Sequence, residues 1–389
     1  MTGALLFVKC NGPRSRFCIC PVENAALLQG RIIDEALFGA ESPAYVAVRW
    51  IQYLGLVIMT GATAFPLLVL QRRVVRDSVG PTTMRTLTLR CVHVGLIGSA
   101  IVLGSAWLRL LAQAYAMDGT AAAFTRPYLT LLITTSAWGV RWAAQVLAAI
   151  IAIAGFAMLR ALLRRAPTVQ RGPSSARWPW IAVIISVVGI AFTPGLSSHA
   201  AAMPDFAALA MMLDGLHVLA AGGWIGGIAV LLMMTLPETS PSVRGLPLAA
   251  RATMVRAFSA LALVSASLLA MTGTFAAWRH VGPMDALWLT PYGRTLLVKL
   301  GLLAGVACVG AYNWRRVAPA MDAAVSPREL RTTAMFELTL GLLVLLATAV
   351  LVATPTPSDM IGVTTPGLRG VQVIVRTCGA HTARTLCFT

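Results

Sequence analysis

Charge is what this sequence has least of. Asp, Glu, Lys and Arg together make up 12% of 389 residues, about half the share of roughly 25% usual for soluble chains. Acidic residues are scarcer still, 14 against 31 Lys and Arg. A water-soluble chain of this size must cover a large surface with polar groups, and hydrophobic residues here reach 58%. The mean hydropathy of +0.77 agrees. The soluble globular enzyme is excluded, and a multi-span membrane protein is implied. Catalytic signatures are also missing. No Walker loop is present, so ATP-driven pumping by this chain is not expected. No Ser/His/Asp or His-Glu-x-x-His arrangement occurs, and the chain reads as a non-enzyme. The seven cysteines (Cys10, Cys18, Cys20, Cys91, Cys308, Cys378, Cys387) follow neither a zinc-finger nor a disulfide-framework spacing. Ten-residue alternating segments, the mark of a membrane β-barrel, are absent. A signal peptide is not expected either, because the apolar run from Ala4 to Val8 is far shorter than an h-region.

What is present is a series of apolar runs. Crossing about 30 Å of hydrocarbon at 1.5 Å per residue takes around 20 residues. Eight runs qualify, over residues 45–70, 92–114, 128–159, 179–197, 207–235, 254–278, 294–314 and 332–354. The fold class expected is therefore an all-α, polytopic bundle of about eight transmembrane helices. Positive charge orients it, since cytoplasmic links collect Lys and Arg. Arg72, Arg73, Arg76, Arg85 and Arg90 follow the first run; Arg160, Arg164, Arg165, Arg171 and Arg177 follow the third. Arg244, Arg251 and Arg256 follow the fifth, and Arg315, Arg316, Arg328 and Arg331 the seventh. The intervening links hold only Arg126 and Arg279, with Arg294 at a span edge. Both termini are thereby expected outside. The net charge of +17 is a topology code and not a nucleic-acid footprint. The chain divides into an N-terminal tail (1–43), an eight-helix membrane domain (44–355) and a C-terminal tail (356–389), with no role assigned to either tail.

Ionisable groups inside spans are costly and are functional candidates for that reason. The fifth run is the richest: Met211, Asp214 and His217 recur at helical spacing and form one stripe, which Trp224 continues. The alternative is that Asp214 and His217 simply hydrogen-bond each other or a neighbouring helix. Outer links add His199, Met203 and Asp205 after the fourth run, and His280, Met284 and Asp285 after the sixth. Imidazole, carboxylate and thioether together suit copper, with Met favouring Cu(I) and His and Asp also accepting Cu(II). The candidate metal ligands are His199, His217, Asp214, Met211, Met203 and His280. Each loop donor taken singly reads as a solvated residue. A weaker inner set comprises Cys91, His93, Asn313 and Glu337, for which ordinary helix-end polarity is an equal account. Arg109, Arg141 and Lys299 lie near outer helix ends, where long side chains snorkel outward.

These residues resemble the copper-resistance D family of bacterial inner-membrane proteins. The resemblance is clearest over residues 250–355: Arg256-Ala257-Phe258-Ser259, then Thr272-Gly273 and Trp278, then Thr290-Pro291-Tyr292-Gly293-Arg294 leading to Lys299, Asn313 with Arg315-Arg316, and Glu337-Leu338. Asp214-x-x-His217 followed by Trp224-x-Gly226-Gly227, and Ser198-His199-Ala200, look like the same pattern. The resemblance implies eight helices and copper handling at the plasma membrane, typically inward movement linked to copper resistance. It also implies a small periplasmic copper carrier of the CopC type as partner. Some relatives carry that carrier as a fused β-sandwich, which residues 1–43 are too short to form. Copper is then the transported or bound ion, with His199 as the entry ligand and Asp214 and His217 passing it inward. Two other readings stay open: a b-type haem protein carrying electrons across the membrane, which needs two histidines at matching depth, and a non-transporting, copper-responsive membrane partner.

Overall fold

Backbone N–H and C=O groups find no partner in hydrocarbon except one another, so apolar runs of this length become helices. The computed structural model describes residues 5–10, 16–21, 42–165, 174–196, 207–235, 247–281, 284–313, 315 and 327–354. Among the described residues eight helices are long and apolar enough to cross a membrane. Spans 1 to 4 are Pro43–Leu70, Pro81–Asp118, Ala137–Arg165 and Ala176–Thr193. Spans 5 to 8 are Ala208–Met234, Ala249–Trp278, Pro291–Tyr312 and Arg331–Ala353. The bundle is all-α, and the chain is a multi-pass membrane protein. A short antiparallel hairpin precedes the bundle, with β1 (Leu5–Cys10) paired to β2 (Arg16–Pro21) so that Val8 opposes Cys18. The sequence pattern gives no hint of it.

The core is apolar, but it also holds polar side chains, and the outer surface is apolar as well. Gln52, Gln145, Ser99, Thr60 and Thr272 are buried, whereas Leu263, Val264, Leu147 and Met271 stand outward. That is the distribution expected when lipid and not water is the surrounding solvent. Small residues set the closest approaches, as they do where lipid removes the usual hydrophobic drive between helices. Gly55 of span 1 lies against Gly98 and Val102 of span 2, and Gly98 against Met59, so these two spans run antiparallel. Span 5 meets span 1 at Gly61 and Gly226, backbone against backbone. The largest core cluster gathers spans 1, 2, 5 and 6 around Phe65, Leu87, Met254 and Phe258, with Val306 and Val344 added from spans 7 and 8.

The third span departs from the expected 128–159. The helix Arg126–Thr135 ends at Ser136, whose backbone is extended, and a new helix runs Ala137–Arg165. Ser136 Oγ accepts the Gly139 N–H at 2.8 Å, the N-cap contact that starts a helix by satisfying an orphan donor. Both sides of this break are apolar, so hydropathy runs straight through it.

Because consecutive spans alternate in direction, one face of the bundle carries the start of span 1 and the ends of spans 2, 4, 6 and 8. The opposite face carries Arg72, Arg73, Arg76, Arg85, Arg90, Arg164, Arg165, Arg177, Arg251 and Arg331. It is the arginine-rich face.

Candidate functional site

Span 5 is not one continuous α-helix. Ala207–Ala221 is α-helical, Gly222–Gly226 forms a π-turn, and Gly227–Thr235 resumes the α-helix. Single π-turns inside α-helices are frequent at functional sites. Here the glycines also make the turn compatible with tight packing. A Cβ on Gly222 would strike Thr60, one on Gly226 would strike the Val57 carbonyl, and one on Gly227 would strike Phe258. The wide turn rotates the remainder of the span about its axis. Met211, Asp214 and His217 lie on the α-helical part of the span, and Trp224 lies within the π-turn, where its indole meets Glu337 of span 8.

His217 is the best-defined member. Its Nδ1 lies 2.8 Å from Thr272 Oγ1 on span 6. The Thr272 hydroxyl carries one proton, and it donates that proton back to the Leu268 carbonyl at 2.7 Å. With its proton on that carbonyl, Thr272 Oγ1 accepts from the Nδ1–H tautomer of His217. Nε2 is left with its lone pair, the form in which imidazole binds a metal, oriented through its other nitrogen. Gly273 keeps the space beside the ring open: a Cβ there would lie 3.6 Å from His217 Cε1. Lys299 of span 7 lies within Coulombic range of the ring. It faces into the bundle and does not snorkel outward. Asp214 sits one turn before His217 and is half-buried. Met211 is half-buried on the same face.

The remaining predicted ligands are not brought together by the described structure. His199 and Met203 lie outside the described residues, as do Asp205 and the His280 side chain. Met284 and Asp285 are exposed. Among the described residues no group of three His, Cys, Asp or Glu side chains converges on one point. The observed arrangement is a single metal-competent imidazole with a carboxylate and a thioether along its helix.

The inner set splits. Trp224 Nε1 donates to Glu337 Oε1 at 3.0 Å, and Asn313 Nδ2 donates to Glu337 Oε2 at 3.2 Å. Spans 5, 7 and 8 thus meet on one half-buried carboxylate toward the arginine-rich face. Cys91 instead packs in the apolar core, and His93 lies near Arg160 and Arg164. The Trp224 bond to Glu337 had no sequence signal, because the π-turn that aims Trp224 leaves no mark in spacing.

A third polar cluster joins spans 1, 2 and 3. Arg109 Nη1 donates to Gln52 Oε1 at 2.9 Å and to Gln145 Oε1 at 3.4 Å. Arg109, expected to reach outward, is held inside the bundle by two buried amides.

Comparison with known proteins fits this architecture. The family described as copper resistance protein D matches residues 252–351, and its N-terminal domain, described as copper resistance protein D-like, matches residues 40–209. The chain belongs to the copper resistance protein D family. The two matches cover the helices that carry Gln52, Arg109 and Gln145 in one and Thr272, Lys299 and Glu337 in the other. Within the family, the chain is similar to the copper transport protein CutJ of Bacillus subtilis (strain 168), 26% identical over 329 residues. That alignment takes in 84% of this chain and 55% of CutJ, so the chain spans about half the length of this relative. No solved structure matches the chain.

Proposed function

We propose that this protein moves copper across the bacterial plasma membrane, in the direction of uptake and in the service of copper resistance. The single observation that carries the reading is His217. It is an imidazole inside a membrane span, held through Nδ1 by Thr272 and presenting a free Nε2. An intramembrane ionisable residue is expensive in hydrocarbon and marks an ion path. Membership of the copper-resistance family names the ion. The N-terminal face is taken as the outer one, with both termini outside, because the opposite face collects the arginines.

Copper, the substrate, is passed on this reading from His199 and Met203 near the outer surface, with His280 on the neighbouring link, to Asp214, His217 and Met211. A small periplasmic carrier of the CopC type would deliver it. Transfer needs weak sites in series and not one tight cage, as conduction does in channels. A lone imidazole flanked by a carboxylate and a thioether suits that demand. Its mixed donors serve either oxidation state of copper. The haem reading requires a second histidine at the depth of His217. His93, the other described span histidine, lies toward the arginine-rich face beside Arg160 and Arg164.

The test is cellular copper content at matched expression. The wild-type chain raises it under copper challenge; His217→Ala and His199→Ala each lower that gain at least several-fold. Unchanged copper in both variants would refute the path, and lowered copper with the wild type would reverse its direction.

A further inference from the structure

The two halves of the bundle repeat each other. Pro81, Arg85, Arg90 and Ser99 of span 2 recur at the same spacing as Pro247, Arg251, Arg256 and Ser265 at span 6. Gln52 and Gly61 of span 1 are spaced as His217 and Gly226 of span 5, and Ser136, Gly139 and Gln145 as Thr290, Gly293 and Lys299. The geometry repeats with the sequence. Ser136 Oγ donates to the Leu132 carbonyl at 2.6 Å and accepts from the Gly139 N–H; Thr290 Oγ1 donates to the Ala286 carbonyl at 2.6 Å and accepts from the Gly293 N–H. A Cβ on Gly139 or on Gly293 would strike the equivalent carbonyls and the equivalent Cα of the preceding short helix. The equivalent glycines Gly61 and Gly226 touch each other, as residues on a two-fold axis must. Repeats with an even number of spans are parallel, related by an axis along the membrane normal.

This equivalence puts Gln52 where the second half has His217, and Gln145 where it has Lys299. The first half therefore has a polar site at the same depth but without an imidazole, a thioether or a carboxylate. It has Arg109 in their place. Arg109 Nε is buried without a partner, and so is Nη1 of Arg49, whose guanidinium lies 4.5 Å over the Tyr45 ring. Both cations are within Coulombic range of Tyr53. Among the described residues no carboxylate pairs with either. Two guanidinium groups without a counter-charge are costly away from water. Since both glutamines accept from Arg109 through oxygen, their amide N–H groups remain as further donors. Arg109 lies about 8 Å, by the helical rise, inside the outer end of the apolar run at residue 114, deeper than lipid phosphates sit.

We propose that spans 1–4 and 5–8 are two copies of one four-helix unit, and that the first copy binds a small inorganic anion, chloride in class, between Arg109, Arg49, Gln52 and Gln145. The site is independent of the copper path. It is tested on the full chain purified in a non-ionic maltoside detergent, by thermal unfolding in sodium chloride against sodium gluconate at equal ionic strength. Chloride raises the midpoint saturably, by about 2 °C or more at concentrations well above its dissociation constant. Arg109→Gln and Gln145→Leu each abolish the rise, while Lys299→Gln at the equivalent position keeps it. A wild-type midpoint indifferent to chloride overturns the proposal, as does an equal rise in all variants. So does stabilisation that appears only on adding phospholipid, which would assign the site to a headgroup phosphate. Should Arg109→Gln fail to fold, Gln145→Leu and Arg49→Gln carry the test.

Discussion

The hydroxyl of Thr272 has only one proton, and where it goes decides what His217 can do. Donated to the Leu268 carbonyl, it leaves the oxygen as an acceptor that selects the Nδ1–H tautomer. Partners that orient a metal-binding imidazole in this way typically govern 10–100-fold in metal affinity, although the hydrogen bond itself contributes only about 1 kcal/mol to stability. Thr272→Val is accordingly expected to fold and insert normally yet to slow copper accumulation about tenfold at low external copper. Raising external copper recovers part of the rate, and Thr272→Ser, which keeps the hydroxyl, recovers most of it. Equal uptake by the valine and wild-type proteins across the copper range would remove Thr272 from the site. His217 itself is legible in the sequence, because charge is so scarce that any ionisable residue inside a run stands out. Its partner is not, since a threonine in a helix more often bonds only its own preceding turn, as Thr60 does with the Leu56 carbonyl.

At the scale of elements, the contact between spans 1 and 5 is made by backbone, not by side chains. Gly226 has Val57 and Gly61 as its nearest neighbours across the interface, so even a methyl group there must push two helices apart. Gly226→Ala is expected to cost about 1–3 kcal/mol, the usual range for overpacking, and to lower the unfolding midpoint in detergent. Gly104 of span 2 faces open space, and Gly104→Ala should stabilise by up to about 1 kcal/mol through the lost flexibility of glycine. Like responses of the two variants would show that the Gly61–Gly226 contact does not hold the halves together. Element boundaries show how far pattern alone reaches. Span 2 is expected from hydropathy over 92–114 and runs 81–118, because hydropathy registers only the part in lipid while the helix continues past it through Arg85 and Arg90. The π-turn at Gly222–Gly226 and the cap at Ser136 escape for the complementary reason. They change backbone geometry without changing the hydrophobicity of the segment.

For the whole molecule, the number of spans and the asymmetry of charge are both readable, since they follow from bilayer thickness and from where arginines are tolerated. The internal repeat is only faintly written in the sequence: the spacing of Pro81, Arg85, Arg90 and Ser99 recurs at span 6, but other paired positions carry different chemistry, Gln52 against His217 and Gln145 against Lys299. The Ser136 and Thr290 caps and the Gly61–Gly226 contact tie those spacings together in space. A two-fold related pair of units has a consequence for orientation. Parallel repeats place the link after span 1 and the link after span 5 on one face, and both carry the arginines that anchor cytoplasmic links. Asp77 lies in the first such link, and Thr120 lies between spans 2 and 3 on the opposite side; both are within exposed segments. In a chain whose exposed Cys308 and tail cysteines are replaced by serine, Asp77→Cys should react with a membrane-impermeant maleimide only after the cells are opened. Thr120→Cys should react in intact cells. The reverse labelling pattern would invert the bundle, place His217 on the cytoplasmic side of the membrane midplane, and turn the proposed path from uptake into export.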